Sequence, residues 1–148
     1  MRTGAMLICH ENPSEVIVAD SSVDMVVVDG DRYTVTLLCG EIDCYGSQGL
    51  QERLLEAAPD AGRPLILDMS GVTFCDGSAL WTLSAVERRC AERRVALAIV
   101  GLRPFLGHLF RAFHIHERIP LCATLDEALW RVLPPTDADL HAWLESAG

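Results

Sequence analysis

The sequence predicts an α/β domain, and three observations carry that prediction. Two near-continuous apolar runs, 64–69 (PLILDM) and 95–100 (VALAIV), read as strands covered on both faces. Residues 78–94 between them place Leu80, Leu83, Val86 and Cys90 on one helical stripe, with arginines and glutamates opposite. A strand, a helix and a second strand in that order imply a right-handed crossover and a parallel pair. Upstream, Asp29-Gly30 lies between residues 26–28 (VVV) and 33–39 (YTVTLLC), a hairpin signal that relies on positive φ at both turn positions. The sheet is therefore expected to be mixed but mostly parallel, with four to five strands and about four flanking helices.

The remaining elements follow in order. Residues 1–22 lack sustained periodicity and read as a loose N-terminal extension. Gly40-Glu41-Ile42-Asp43 leaves the second strand, and Ser47 opens a helix bearing Leu50, Leu54 and Leu55, which Pro59 and Gly62 end. Pro104 suits the first turn of a third helix, carrying Phe105, Leu109, Phe110 and Phe113. Residues 119–122 make a last short strand. Thr124-x-x-Glu127 is a capping box that opens a helix with Leu129, Val132 and Leu133. Pro134-Pro135 stops it. The domain is thus expected to span 23–133, followed by a tail, 134–148, with room for one short helix around 140–144.

Composition excludes several function classes. The chain has 148 residues, half of them hydrophobic, and a formal net charge of −9. Neutralising nucleic-acid phosphates needs a basic face. The one basic cluster, Arg88, Arg89, Arg93 and Arg94, is interleaved with Glu87 and Glu92 and reads as a solvated helix face, with Glu92 in reach of Arg88. The longest apolar run, residues 95–102, is far short of the roughly 20 residues of a membrane span, and the first nine residues are too short for a secretory signal. A cytoplasmic location is expected. Six scattered cysteines without a C-x-x-C pair read as small buried hydrophobes rather than zinc ligands, so no metal or other cofactor is expected. His114 and His116, if helical, would point about 200° apart and share no ion.

The corner Cys75-Asp76-Gly77-Ser78-Ala79 carries the functional question. It sits just past a buried strand, at the mouth of an amphipathic helix. A helix N-terminus leaves several N–H groups unpaired and carries about half a positive charge, which suits an anion. The Ser78 hydroxyl there can cap the helix or accept a phosphate, and the two roles are compatible. Asp76 can be the N-cap or a turn residue, or it can orient the hydroxyl and meet a partner. Catalysis is not expected. Ser78 does not lie in G-x-S-x-G, and His10, His108, His114, His116 and His141 are all remote from it in sequence.

Three segments, CGEIDCYGSQGLQERLLEA, PLILDMSGVTFCDGSAL and VALAIVGLRPFLGHLFRAFHIHERIPLCATLDEAL, resemble the STAS domain, and more closely the bacterial anti-sigma factor antagonists. The similarity covers roughly residues 24–133. Its most specific piece is an apolar strand, then D-x-S-G-V, an aromatic, and Asp-x-Ser at a helix start. The resemblance implies a STAS-like fold and a non-enzymatic regulator. Such a regulator binds an anti-sigma factor kinase when unphosphorylated and so frees a sigma factor. Serine phosphorylation switches it off, and a phosphatase would reverse that. It places the phosphoacceptor at Ser78 and the partner surface at Asp76, Gly77, Ser78 and Ala79. Asp43 joins them, from a stretch, Gly40 to Asp43, that matches the family's Gly-Glu-Leu-Asp. Gly77 stands where the family usually has a first hydroxyl residue. Ala79 replaces the usual Gly, adding a methyl where a partner backbone would approach. The alternative is a STAS docking subunit of a lipid-transport ATPase, or a scaffold in a stress-sensing complex, without a phospho-switch.

Overall fold

The computed structural model describes residues 15–17, 23–60, 62–133 and 136–147. Its centre is a mixed sheet of five strands, β2 (Val23–Asp29), β3 (Thr34–Ile42), β4 (Leu65–Cys75), β5 (Leu97–Val100) and β6 (Leu121–Cys122). A short strand, β1 (Glu15–Ile17), adds to the β2 edge, inside the stretch expected to be loose. The strands lie in sequence order; β1–β2 and β2–β3 are antiparallel, and β3 through β6 are parallel. The helices are α1 (Ser47–Ala57), α2 (Gly77–Glu92), α3 (Pro104–Ala112), α4 (Leu125–Val132) and α5 (Asp137–Ala147).

Alternation along the parallel strands explains the unbroken apolar runs. Leu65, Leu67, Leu97 and Ile99 join the larger core, against Leu50 and Leu54 of α1, Leu83 and Val86 of α2, and Leu106 and Phe110 of α3. Ile66, Ala98 and Val100 face the other way and pack on Ala128 of α4. Both faces of β4 and β5 are covered, which is why their sequences run apolar without alternation. β4 runs on to Cys75 instead of stopping at Met69. At Gly71 a Cβ would stand 2.6 Å from Cys39 Sγ and 2.9 Å from the Leu38 carbonyl oxygen, so only glycine lets β3 approach β4 there.

Several expectations are corrected. The hairpin turns through residues 30–33, with Gly30 N–H donating to the Tyr33 carbonyl at 2.8 Å. Gly30 is not among the positive-φ glycines, because this longer loop does not need the two-residue mirror-image turn. On α3 the buried pair is Leu106 and Phe110, one turn apart, while Phe105 and Phe113 are exposed. α3 ends at Ala112 and His114 adopts a left-handed conformation, so the His114 and His116 rings stack with centroids 6.3 Å apart instead of diverging. Glu92 pairs with Arg89 at 3.4 Å, not Arg88. Cys75, Cys90 and Cys122 are free and buried, but Cys44 is free and exposed and Cys39 is disulfide-bonded, so the cysteines do not share one role. Cys9 lies outside the described residues. No helix among the described residues is long and apolar enough to cross a membrane.

Candidate functional site

The site forms where β3 and β4 end side by side. Ile42 and Cys75 are register partners, and Asp76 N–H donates to the Ile42 carbonyl at 3.2 Å. That pairing sets the residues after β3 against the mouth of α2, although they are 32 positions apart in the chain. Asp76 is the N-cap of α2, in extended conformation. Its Oδ1 accepts the Ser78 N–H at 2.8 Å and also the Ser78 hydroxyl, and its Oδ2 accepts the Cys44 N–H at 3.2 Å. Asp76, and not Ser78, therefore caps the helix. The serine is left in the first turn, half-exposed, with its hydroxyl oriented by the capping carboxylate.

The electrostatics follow from those bonds. The Ser78 hydroxyl, more than anything else, holds the Asp76 carboxyl below the usual carboxylate range, helped by the Ser78, Cys44 and Ala79 backbone N–H groups against a smaller opposing effect of burial. A carboxylate stabilised in this way orients a proton well and accepts it poorly. The neighbouring Cys75 thiol is pushed up to about 12, first by burial and then by the Asp76 charge, so it stays protonated and is no nucleophile.

Asp43 has a local task as well. Its Oδ1 accepts the Tyr45 and Gly46 N–H groups, each at 3.1 Å, and its carbonyl accepts the Ser47 N–H at 3.0 Å, which folds the loop into α1. Glu41 remains within β3, exposed, opposite Phe74. Thr82 of α2 donates to the Ser47 carbonyl at 3.2 Å and ties the two helix starts together.

The structure brings Asp43, Asp76, Gly77 and Ser78 to one corner and turns Ala79 away from it. Ala79 is 0% exposed and belongs to the main core, so its methyl packs inward and does not meet an approaching backbone. Gly77 is exposed, and a Cβ there would touch nothing within 4 Å. Sequence reasoning missed Cys44 and Tyr45, which form the outer rim. Tyr45 is 91% exposed, and Phe74 is also exposed nearby in the chain to the corner. An aromatic in a short polar loop beside a candidate site was the available signal.

A family model described as STAS domain matches residues 22–128. The chain belongs to the STAS domain family. This STAS domain is similar to the anti-sigma-F factor antagonist of Mycobacterium tuberculosis, 25% identical over 111 residues that cover 75% of this chain and 90% of that one. A second M. tuberculosis protein, named as a candidate anti-anti-sigma factor, is 30% identical over 92 residues; the match spans 61% of this chain and only 62% of the relative's length. Among solved structures, an anti-sigma factor antagonist from Mycobacterium paratuberculosis superposes with a TM-score of 0.67 at 26% identity, covering 78% of this chain and 98% of that one.

Proposed function

We propose that this STAS domain is an anti-sigma factor antagonist whose partner is an anti-sigma factor kinase. Unphosphorylated, it binds the kinase in the cytoplasm through the Ser78 corner, the start of α2 and the Asp43 loop, and thereby frees a sigma factor for transcription. Phosphorylation of Ser78 ends the binding. The observation that carries this reading is the half-exposed Ser78 hydroxyl, held by Asp76 in the first turn of α2. Similarity to antagonists over most of the chain supports it.

The chemistry of such a switch is concrete. The kinase transfers the ATP γ-phosphoryl to Ser78 Oγ; an O–P bond forms, the bond to ADP breaks, and the hydroxyl proton leaves to a base on the kinase. The phosphoserine then carries a charge near −1.5 to −2. At roughly 4 Å from the Asp76 carboxylate, with an effective dielectric constant near 20, each unit of charge costs about 4 kcal/mol. The helix N-terminus returns about 0.3–1 kcal/mol, at most about 2. Repulsion wins, so the phosphoryl group swings away from Asp76 toward solvent, across the surface that a partner must cover. The hydrogen bond from Ser78 Oγ to Asp76 is lost at the same time.

With the partner kinase and ATP, the chain should gain one phosphate, at Ser78, and Ser78→Ala should gain none while keeping its fold. By calorimetry, Ser78→Asp and Ser78→Glu should bind the kinase much more weakly than Ser78→Ala. Phosphate mapped to Ser47 or Ser84, or equal affinities for wild type, alanine and acidic variants, would overturn the switch and favour docking without phosphate control.

A further inference from the structure

One part of the sheet is buried without a described helix to bury it. Alternation along β2 puts Val23, Met25 and Val27 in the main core and turns Asp24 and Val26 to the opposite face. There Val26 packs with Cys39 and Leu37 of β3 in a small cluster that contains no helical residue, while α4 packs further along, on Ile66, Ala98 and Val100. Yet Asp24 and Val26 are each 3% exposed and Cys39 9%. Neighbouring strands cover a residue's backbone and not the side chain that stands off the sheet, so a further layer lies over these three. The cysteines name it. The chain has six. Cys44, Cys75, Cys90 and Cys122 are free, and Cys39 is disulfide-bonded. Cys9 is the one left, and it follows Met6, Leu7 and Ile8, an apolar run suited to a face made of Val26 and Leu37.

We propose that residues 1–14 form a strap across the back of β2 and β3, fastened by a Cys9–Cys39 disulfide and released when that bond is reduced. Connectivity allows it. β1 pairs with β2 so that Glu15 stands beside Val27, and Cys39 is the register partner of Asp24. From Glu15 to Cys39 is therefore two strand spacings across and three residues along, about 14 Å in all. The six steps back from Glu15 to Cys9 reach about 20 Å when extended, and a disulfide spans about 4–7 Å more between Cα atoms. Room for the sulfur is built into β4. A Cβ on Gly71 would stand 2.6 Å from Cys39 Sγ, so the glycine clears the spot that the sulfur occupies.

The redox step balances. The Cys9 and Cys39 thiols lose two electrons and two protons to a low-molecular-weight disulfide, which leaves as two thiols, and a dithiol reductant reverses the exchange. Opening the strap uncovers Val26, Leu37 and Cys39, the last on the strand that leads through Gly40 and Glu41 to the Asp43 loop of the candidate site. In a reducing compartment such a bond is a transient, redox-sensing one and not a permanent staple. That sensing role rests on the cytoplasmic location in the proposed function; the bond and the strap do not.

The test uses the full chain equilibrated with glutathione disulfide, then denatured, alkylated and digested without reductant. Trypsin is combined with a glutamate-specific protease, because Glu41 lies between Cys39 and Cys44. Mass spectrometry should find the Cys9 and Cys39 peptides joined, two hydrogens lighter than their reduced sum, and the other four cysteines alkylated. On reduction of the folded chain with dithiothreitol, the emission of 1-anilinonaphthalene-8-sulfonate should rise as the β2–β3 face opens. Cys9→Ser, outside the clusters that form the core, should show the higher emission with or without reductant. Cys39 found alkylated after oxidation, or joined to Cys39 of a second copy, would overturn the disulfide. Emission indifferent both to reduction and to Cys9→Ser would overturn the strap. Neither readout involves a kinase, so failure here and failure of the phospho-switch are told apart.

Discussion

Removing the Asp76 carboxylate tests the construction of the corner directly. Asp76 accepts three hydrogen bonds, from the Ser78 N–H, the Ser78 hydroxyl and the Cys44 N–H. Losing an N-cap to alanine costs about 0.5–2 kcal/mol. The Cys44 N–H is exposed and water replaces that bond, so Asp76→Ala should cost about 1–2 kcal/mol in total. With a urea slope of about 2 kcal/mol/M, the unfolding midpoint should fall by about 0.5–1 M at neutral pH, at unchanged slope. Asp76→Asn should fall between the two. Its amide oxygen still takes the Ser78 N–H, but its NH₂ faces the Cys44 N–H, donor against donor. The pH dependence has a definite sign. The folded-state carboxyl titrates below its unfolded value, so its stabilisation is present above the unfolded pKa of about 3.9 and is lost as pH falls through the lower folded value. The gap between wild type and Asp76→Ala should therefore narrow below about pH 4. A gap that stays constant through that acid range, or no destabilisation at neutral pH, would refute the assignment of Asp76 as an ionised cap.

Two further outcomes test the packing and the open position at the corner. Leu83 is 0% exposed within the main core, so Leu83→Ala should destabilise by about 2–5 kcal/mol in equilibrium urea unfolding, and a loss under 1 kcal/mol would mean the α2 stripe is not buried. Gly77→Ser, which restores the hydroxyl usual in the family, adds a Cβ into open space; it should be neutral or stabilise by up to about 1 kcal/mol by thermal unfolding, and a marked loss would show that the turn needs glycine.

What the sequence determined by itself was local in origin. The strand at 64–69, the helix beginning at the Asp76–Ser78 corner and the Thr124 cap could be read because a hydrophobic run, a 3.6-residue stripe and a capping spacing are each written within one element. The short helix expected around 140–144 runs from Asp137 to Ala147, and the Thr136–Asp139 cap that opens it is equally local. What tertiary structure decided was non-local. Parallel pairing of Ile42 with Cys75 joins segments that no local pattern connects, and it alone puts Cys44 and the Asp43 loop against Asp76. It also divided the labour at the corner, giving the cap to Asp76 and leaving Ser78 half-exposed, a choice that extended backbone at Asp76 makes and that two capping-competent residues separated by one glycine do not reveal. Ala79, set at the partner surface by the family resemblance, is buried in the main core, while Phe105 and Phe113 were misplaced for a different reason. Periodicity gives the width of an apolar stripe, but only the sheet beneath decides which edge of that stripe is covered, and here it took Leu106 and Phe110 in and left Phe105 and Phe113 exposed.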